Sequence, residues 1–240
     1  MFSFLQSKKS ITDSGLLRGA VDNHSHILPG VDDGVRSMDE SLAILSYLEE
    51  IGLSTLWLTP HTMEDVPNTT EGLKARFQKL KDAYHGPIRL NLASEYMMDP
   101  NFASHLAAKD LLTHEGNRVL VETSTWCPPI DFWDLIDSMM VSGYTPILAH
   151  PERYRYMKES DYARLRSLGV LFQLNLPSLS GQYGSEVAAK AFSFLDKGWY
   201  CMAGSDCHRL HAMQEVYRKN VLGKSAIQKL EPILQGGCQI

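Results

Sequence analysis

The stretch TPILAHPERYRYMKESDYARLRSLGVLFQLN, residues 145–175, decides the fold. TPILAHPER reads as an apolar strand with polar residues at its end, DYARLRSLG as a helix, and VLFQLN as a second apolar strand. Buried strands separated by a helix pair in parallel through a right-handed crossover. The same plan runs along the rest of the chain. Ser37 to Glu40 forms a capping-box pattern, Leu42, Leu45, Leu48 and Ile51 mark one helical face, and Gly52 is placed to end that helix. LSTLWL follows as a strand. A helix with Leu73, Phe77, Leu80 and Tyr84 on one face starts near Asn68 and Thr69, and PIRLNLASE is the next strand. NRVLVET, the helix FWDLIDSMMVSG ending at Gly143, and the final strand GWYCMAGSDCH complete the series. With the short run opening at Val21 there are seven strands, an α/β protein of the closed parallel barrel kind.

Length and composition agree with one such domain. The 240 residues, 44% of them hydrophobic, suffice for a full core. Residues 1–20 read as a loosely attached N-terminal arm and residues 21–240 as the barrel domain. The net charge of -5, with no block of Lys and Arg, argues against a nucleic-acid partner, because a phosphate backbone requires a concentrated basic surface. No run approaches a membrane span, and MFSFLQSKKS has too short an apolar patch for a signal peptide. Cys127, Cys201, Cys207 and Cys238 lack paired spacing, which fits a reducing, cytoplasmic compartment.

The polar residues of the strands fall at their C-terminal ends, where parallel barrels carry their chemistry. His24, His26 and Asp33 follow the first strand in VDNHSHILPGVDDG. His61, Glu95, Glu122, His150, Asp206 and His208 follow the others. Five imidazoles and four carboxylates are too many for one ion. They suit two or three divalent ions of the Zn, Mn or Fe kind with one bridging carboxylate. Each has a plainer rival. A His-x-His pair can bond solvent or backbone, Asp32 reads as a turn residue, and Glu122 could be a buried acid paired with an arginine. His85, His105, His114 and His211 read as ordinary surface histidines.

DNHSHILPGVDDG, TPH, SE, AHPER and GSDCH, in that order, resemble the PHP (polymerase and histidinol phosphatase) superfamily. Within it they resemble the bacterial metal-dependent protein-tyrosine phosphatases of capsule and exopolysaccharide biosynthesis. NLPSLSGQYG, residues 175–184, matches that branch as well. The resemblance implies a distorted (β/α)7 TIM-like barrel with a trinuclear site, most commonly holding Mn2+, with Zn2+ or Fe2+ as alternatives. It implies His24, His26, Glu95 and Asp206 around a first metal, Glu95 bridging to a second held by Glu122 and His150, and Asp33, His61 and His208 around a third. Arg153 matches the phosphate-binding, catalytic arginine of that family. One departure stands out: where the family has a further substrate-binding arginine beyond the final Asp-x-His, this chain has Arg209 at once and His211 after it. The implied substrate is phosphotyrosine on a protein, the tail of a bacterial tyrosine kinase of polysaccharide assembly. The implied chemistry is attack by a hydroxide bridging two ions.

Charge independently favours a phosphate ester. Four ligand carboxylates against three divalent cations leave about +2, matched to a phosphomonoester dianion. No cysteine has an arginine six residues on, as a cysteine-based tyrosine phosphatase needs, and no Walker-type loop is present. Cys207 reads as packed by strand alternation. The loops MEDVPNTT, STWCPPIDFW and NLPSLSGQYG form the rim of the site, with Phe132 and Trp133 as well suited to packing a helix as to gripping an aryl group. Two alternatives remain: a small-molecule phosphomonoesterase such as a histidinol-phosphate phosphatase, and a noncatalytic metal-binding module.

Overall fold

In the computed structural model, residues 7–236 are described. Nine strand segments occur among them: β1 (Val21–Asp22), β2 (Thr55–Leu58), β3 (His61–Thr62), β4 (Arg89–Leu92), β5 (Glu95–Met97), β6 (Arg118–Glu122), β7 (Thr145–Ala149), β8 (Leu171–Asn175) and β9 (Met202–Gly204). The helices are α1 (Ile11–Ser14), α2 (Met38–Glu50), α3 (Thr70–Ala83), α4 (Pro100–Ala108), α5 (Phe132–Val141), α6 (Glu159–Ser167), α7 (Leu176–Leu179), α8 (Ser185–Asp196), α9 (Leu210–Tyr217) and α10 (Lys224–Leu234). A 3₁₀ turn, Pro151–Arg153, follows β7.

All strand pairs are parallel, in two sheets ordered β1-β2-β4 and β3-β5-β6-β7-β8-β9. The two sheets are one curled layer. Thr59 and Pro60 interrupt a single strand made of β2 and β3, because proline offers no N–H to the ladder. Ala93 and Ser94 interrupt β4 and β5 at the same level. Hydrogen bonds cross both breaks: Ala93 N–H donates to the Leu58 carbonyl at 2.9 Å and Glu95 N–H to the Pro60 carbonyl at 3.1 Å. Counted this way the layer has the seven strands read from the sequence. Backbone bonds also join its last strand to its first: Asn23 N–H to the Ala203 carbonyl (3.1 Å), Asp206 N–H to the His24 carbonyl (2.8 Å) and His26 N–H to the Cys207 carbonyl (3.0 Å).

Side-chain alternation then divides the core. Leu120, Ile147, Ala149, Leu171 and Met202 point inward and fill the centre. Val119, Val121, Leu148, Phe172 and Leu174 point outward beneath the helices. All five residues of β8 are buried, as expected of a strand covered on both faces. Ser37 caps α2 by accepting from Glu40 N–H at 3.2 Å, while the Glu40 carboxylate accepts from Arg36 N–H, one residue earlier than a full capping box would place it.

Three readings differ from the structure. The stretch expected to be a loose arm is, over residues 7–20, part of the fold: Ile11, Leu16, Leu17 and Ala20 are buried and Lys9 pairs with Leu222. Residues 1–6 of that arm, and Cys238, lie outside the described residues. His114 is no surface histidine. It is buried, its ring stacked on Trp57 with centroids 3.7 Å apart and its Nε2 3.2 Å from the Asn23 carbonyl. Helix α4 has no counterpart among the helices read from the sequence, although Asp99 caps it, accepting from Phe102 N–H at 2.9 Å, with Pro100 in its first turn.

Candidate metal centre

Each strand delivers its polar residue to one end of the barrel, and the two strand breaks set the level. His61 and Glu95 are the first residues after those breaks and lie opposite each other in register. Glu122 ends β6, His150 follows β7, and Asp206 follows β9. His150 and Asp206 stand at φ 34° and φ 51°, in the left-handed region that non-glycine residues seldom occupy. Such strain, about 1–3 kcal/mol per residue, persists only where the surroundings hold it.

The donor atoms converge on Glu95. Its Oε2 lies 3.1 Å from His24 Nε2, 3.2 Å from His26 Nε2 and 3.2 Å from His61 Nδ1, while Oε1 lies 3.1 Å from His150 Nε2. Asp206 Oδ1 is 3.3 Å from His26 Nε2 and 3.6 Å from His24 Nε2. Glu122 reaches His61 Nδ1 at 3.1 Å and His150 Nε2 at 3.5 Å. Asp33, more exposed, has Oδ1 3.3 Å from His208 Nε2 and 3.6 Å from His61 Nε2. All nine residues singled out in the sequence therefore sit in one cluster.

Behind the cluster, three imidazoles are held by their far nitrogen. His24 Nδ1 meets Gln173 Oε1 at 3.0 Å, His26 Nδ1 meets Asp32 Oδ2 at 2.8 Å, and His208 Nδ1 meets the Asp206 carbonyl at 2.9 Å. Each acceptor fixes the proton on Nδ1 and leaves the Nε2 lone pair facing the cluster. Asp32, read only as a turn residue, thus has a second task; it also accepts from Gly34 N–H (2.9 Å) and His61 N–H (3.1 Å). Gly34 must be glycine here, since an added Cβ would collide with the His26 carbonyl. Gly204 meets the same limit against His24 Cβ and Gln173 Nε2.

The donors fit divalent metal ions. Ligand atoms about 2.1 Å from a shared ion lie roughly 3–3.4 Å apart, close to the 3.1–3.6 Å separations between acids and imidazoles here. Glu95 Oε2 and His61 Nδ1 are buried without a hydrogen-bond partner among the described residues. An unsatisfied buried carboxylate oxygen in a ring of imidazoles calls for a cation. Three groups of donors are close enough to share an ion: His26, Asp33, His61 and His208; His24, His26 and Asp206; His61, Glu95 and Glu122.

Electrostatics point the same way. Burial would raise the pKa of Glu95, but His24, His61 and His150 hold it well below the usual carboxylate range. Asp206 is likewise lowered against its burial by His24 and His26. The hydrogen bond from His208 brings Asp33 to about 2. Burial opposes charge on His26, yet Asp206, Asp32 and Glu95 lift it well above normal, and Glu122 with Glu95 raises His150 to about 9 against burial and Arg153. The acids demand positive charge, which protons supply when no metal does.

Arg153 borders the cluster. Its Nη1 donates to Asp206 Oδ2 at 3.0 Å and its guanidinium lies 4.4 Å over the ring of Tyr183. Asn175, fully buried, also donates to Asp206 Oδ2, at 2.8 Å. Gln173 and Asn175 are not among the residues singled out in the sequence; their signal there is a pair of amides in the otherwise apolar VLFQLN. Arg209 Nη1 donates to the carbonyls of Gly34 and His208, so this nitrogen braces the loop around Asp33. His211 is exposed on α9. Cys207 is buried and its thiol pKa is pushed up by burial, as expected of a packed cysteine.

Seven parallel strands with a His, Asp and Glu cluster at their carboxyl ends define an α/β barrel with a candidate metal centre. The chain belongs to the capsular polysaccharide synthesis CpsB/CapC family, whose model matches residues 20–224. It is 26% identical over 214 residues to the tyrosine-protein phosphatase CpsB of Streptococcus pneumoniae, covering 82% of this chain and 88% of that one. It is 24% identical over 209 residues to the tyrosine-protein phosphatase YwqE of Bacillus subtilis, covering 82% of each. The fold matches a crystal structure from work on those two proteins, described as unique metal-dependent tyrosine phosphatases. That match has a TM-score of 0.73 at 23% identity and covers 92% of this chain and 96% of that one.

Proposed function

We propose that this chain is a metal-dependent protein-tyrosine phosphatase, hydrolysing phosphotyrosine on a protein of polysaccharide assembly. One observation carries the reading: three imidazoles tethered through Nδ1, with Nε2 turned toward the carboxylates of Glu95, Asp206 and Asp33. The family relationship supplies the substrate class. In this reading His24, His26, Glu95 and Asp206 hold one ion, Glu95, Glu122 and His150 a second, and Asp33, His61 and His208 a third, with Mn2+ as the resident metal. Divalent ions bound there supply Lewis acidity to lower the pKa of water and to neutralise phosphoryl oxygens.

The chain's own residues do the rest. Arg153 offers the phosphate the guanidinium edge not bonded to Asp206, a planar fork matched to two oxygens, with Tyr183 stacked against its face. Asn175 holds Asp206 Oδ2, so that Oδ1 stays directed at His24 and His26. Asp32, Gln173 and the Asp206 carbonyl hold the three imidazoles with Nε2 turned toward the cluster. No cysteine has an arginine six residues on, so the chain lacks the phosphate-cradling loop of a cysteine-based phosphatase. The substrate we infer is the phosphorylated tail of a tyrosine kinase, met in the cytoplasm; the free thiols of Cys127, Cys201 and Cys207 suit that compartment. Among the described residues no helix is long and apolar enough to cross a membrane.

The test is phosphate release from a phosphotyrosyl peptide by chelator-treated protein, with Mn2+, Zn2+, Mg2+ or no metal returned. Metal-restored turnover, absent in Asp206→Ala, is the expected result. Better turnover of histidinol phosphate than of the peptide would reassign the substrate, and bound metal with no turnover of either would leave a binding module.

A further inference from the structure

The loop that leaves the cluster at Glu122 carries an unusual amount of exposed apolar surface. Among the described residues the large hydrophobic side chains that stand out in solvent are Trp126 (70% exposed), Ile130 (108%) and Val141. Two of the three belong to this one loop. Their neighbours Phe132 and Trp133 behave differently: Phe132 is buried, and Trp133 packs against the core under the guanidinium of Arg164 at 3.9 Å. Phe132 and Trp133, which open α5, are thus packing residues, whereas Trp126 and Ile130 of the loop are presented to solvent.

We propose that Trp126, Arg155 and Ile130 form a recognition shelf for the polypeptide flanking the phosphotyrosine, a specificity element that rests on the phosphatase reading above. The shelf is held in place. Thr123 N–H donates to the Tyr154 hydroxyl at 3.3 Å, Thr123 Oγ1 meets the Tyr156 hydroxyl at 2.5 Å, and Arg155 N–H donates to the Thr125 carbonyl at 3.2 Å. The Arg155 guanidinium lies 4.5 Å over the Trp126 ring, a cation on an aromatic face that fixes both groups. A preset surface of this kind loses little entropy when a peptide settles on it.

Reach and chemistry select the occupant. Trp126 is four residues beyond Glu122, so its Cα lies at most roughly 14 Å from the cluster residue. An extended substrate advances about 3.4 Å per residue. A residue up to about four places from the phosphotyrosine thus falls within reach of Trp126 while the phosphate meets Arg153. An indole beside a guanidinium suits an aromatic or aliphatic side chain with an acidic neighbour, and Trp and Arg are the side chains that most often dominate binding surfaces. Beside it, a groove lined by Pro128, Ile130, Phe132, Tyr156 and Met157 continues the apolar track.

The experiment compares kcat/KM of wild type, Trp126→Ala and Ile130→Asp on a phosphotyrosyl peptide bearing a second tyrosine three residues away, on the same peptide with glycine there, and on p-nitrophenyl phosphate. A roughly tenfold loss, the equivalent of 1.4 kcal/mol, is expected for both variants on the tyrosine-bearing peptide. The loss appears in KM, with p-nitrophenyl phosphate turnover within about twofold and metal content unchanged. Trp126→Phe should restore most of it. Losses equal on peptide and p-nitrophenyl phosphate, or no loss on either, would overturn the shelf and leave the phosphatase reading standing. Failure of the metal-loaded wild type on every phosphate ester would overturn the phosphatase reading and the shelf with it.

Discussion

His26 and Asp32 are joined by a 2.8 Å hydrogen bond between imidazole Nδ1 and carboxylate Oδ2, and the same carboxylate gathers the backbone N–H groups of Gly34 and His61. Asp32 therefore governs the aim of one imidazole and the position of another while its own oxygens face away from the cluster. Removing such a partner costs about 10–100-fold in metal affinity or activity. Asp32→Ala should show that loss with its circular dichroism unchanged, read as metal bound per chain at limiting free metal. Full metal occupancy and full activity would reduce Asp32 to a turn residue.

Arg153 offers a different split. It touches Asp206 but contributes no lone pair, so Arg153→Ala should retain its metal while losing about 10²–10³-fold in turnover, the scale of a lost preorganised donor to the reacting group. Arg153→Lys should recover only part, because a point charge lacks the fork. Parallel steady-state kinetics and metal analysis decide it; loss of metal alongside turnover would mean that the Arg153 pairing with Asp206 is structural.

Chelation should destabilise the fold. An ion present at 100 times its dissociation constant adds about 2.7 kcal/mol by linkage, and each kcal/mol moves the midpoint of a domain this size by about 2–4 °C. A fall in melting temperature of about 5–10 °C is expected on verified metal removal, reversed by adding Mn2+. An unchanged midpoint would count against a metal cluster among these acids.

His114 makes a pH prediction at the opposite end of the barrel. Burial pushes its pKa down to about 3, with the Asn23 carbonyl opposing and Arg118 adding to the shift. The unfolded chain, with a histidine near 6.5, then binds more protons than the fold between about pH 6.5 and 3, and stability falls as pH drops through that window. At pH 5 the loss from this group is about 2 kcal/mol. His114→Phe keeps a ring against Trp57, and should flatten the difference in urea unfolding free energy between pH 7 and pH 5 by that amount. An unaltered pH dependence would show His114 exchanging protons freely in the fold.

Strand and helix order was legible because apolar runs and amphipathic stretches alternate without interruption, and the nine cluster residues were legible because each follows an apolar run. What sequence could not give was the far side of each imidazole. Gln173 lies 149 positions from His24, and nothing local marks their meeting. Asp32 and Asp33 are adjacent and chemically identical; only the turn at Gly34 sends one behind His26 and the other toward His208. The packed N-terminal segment was missed for a related reason: ITDSGLL is too short to declare a helix alone, and Ile11 and Leu17 find their partners only in the assembled core.

The left-handed backbone at His150 and Asp206 has an evolutionary corollary. Glycine would sit in those two conformations without steric cost, yet only side chains with lone pairs can occupy the centre of the cluster. Glycine at either codon would relax the backbone but take a ligand from the cluster and, at Asp206, the partner of Arg153, so selection for turnover keeps the strained residue in both places.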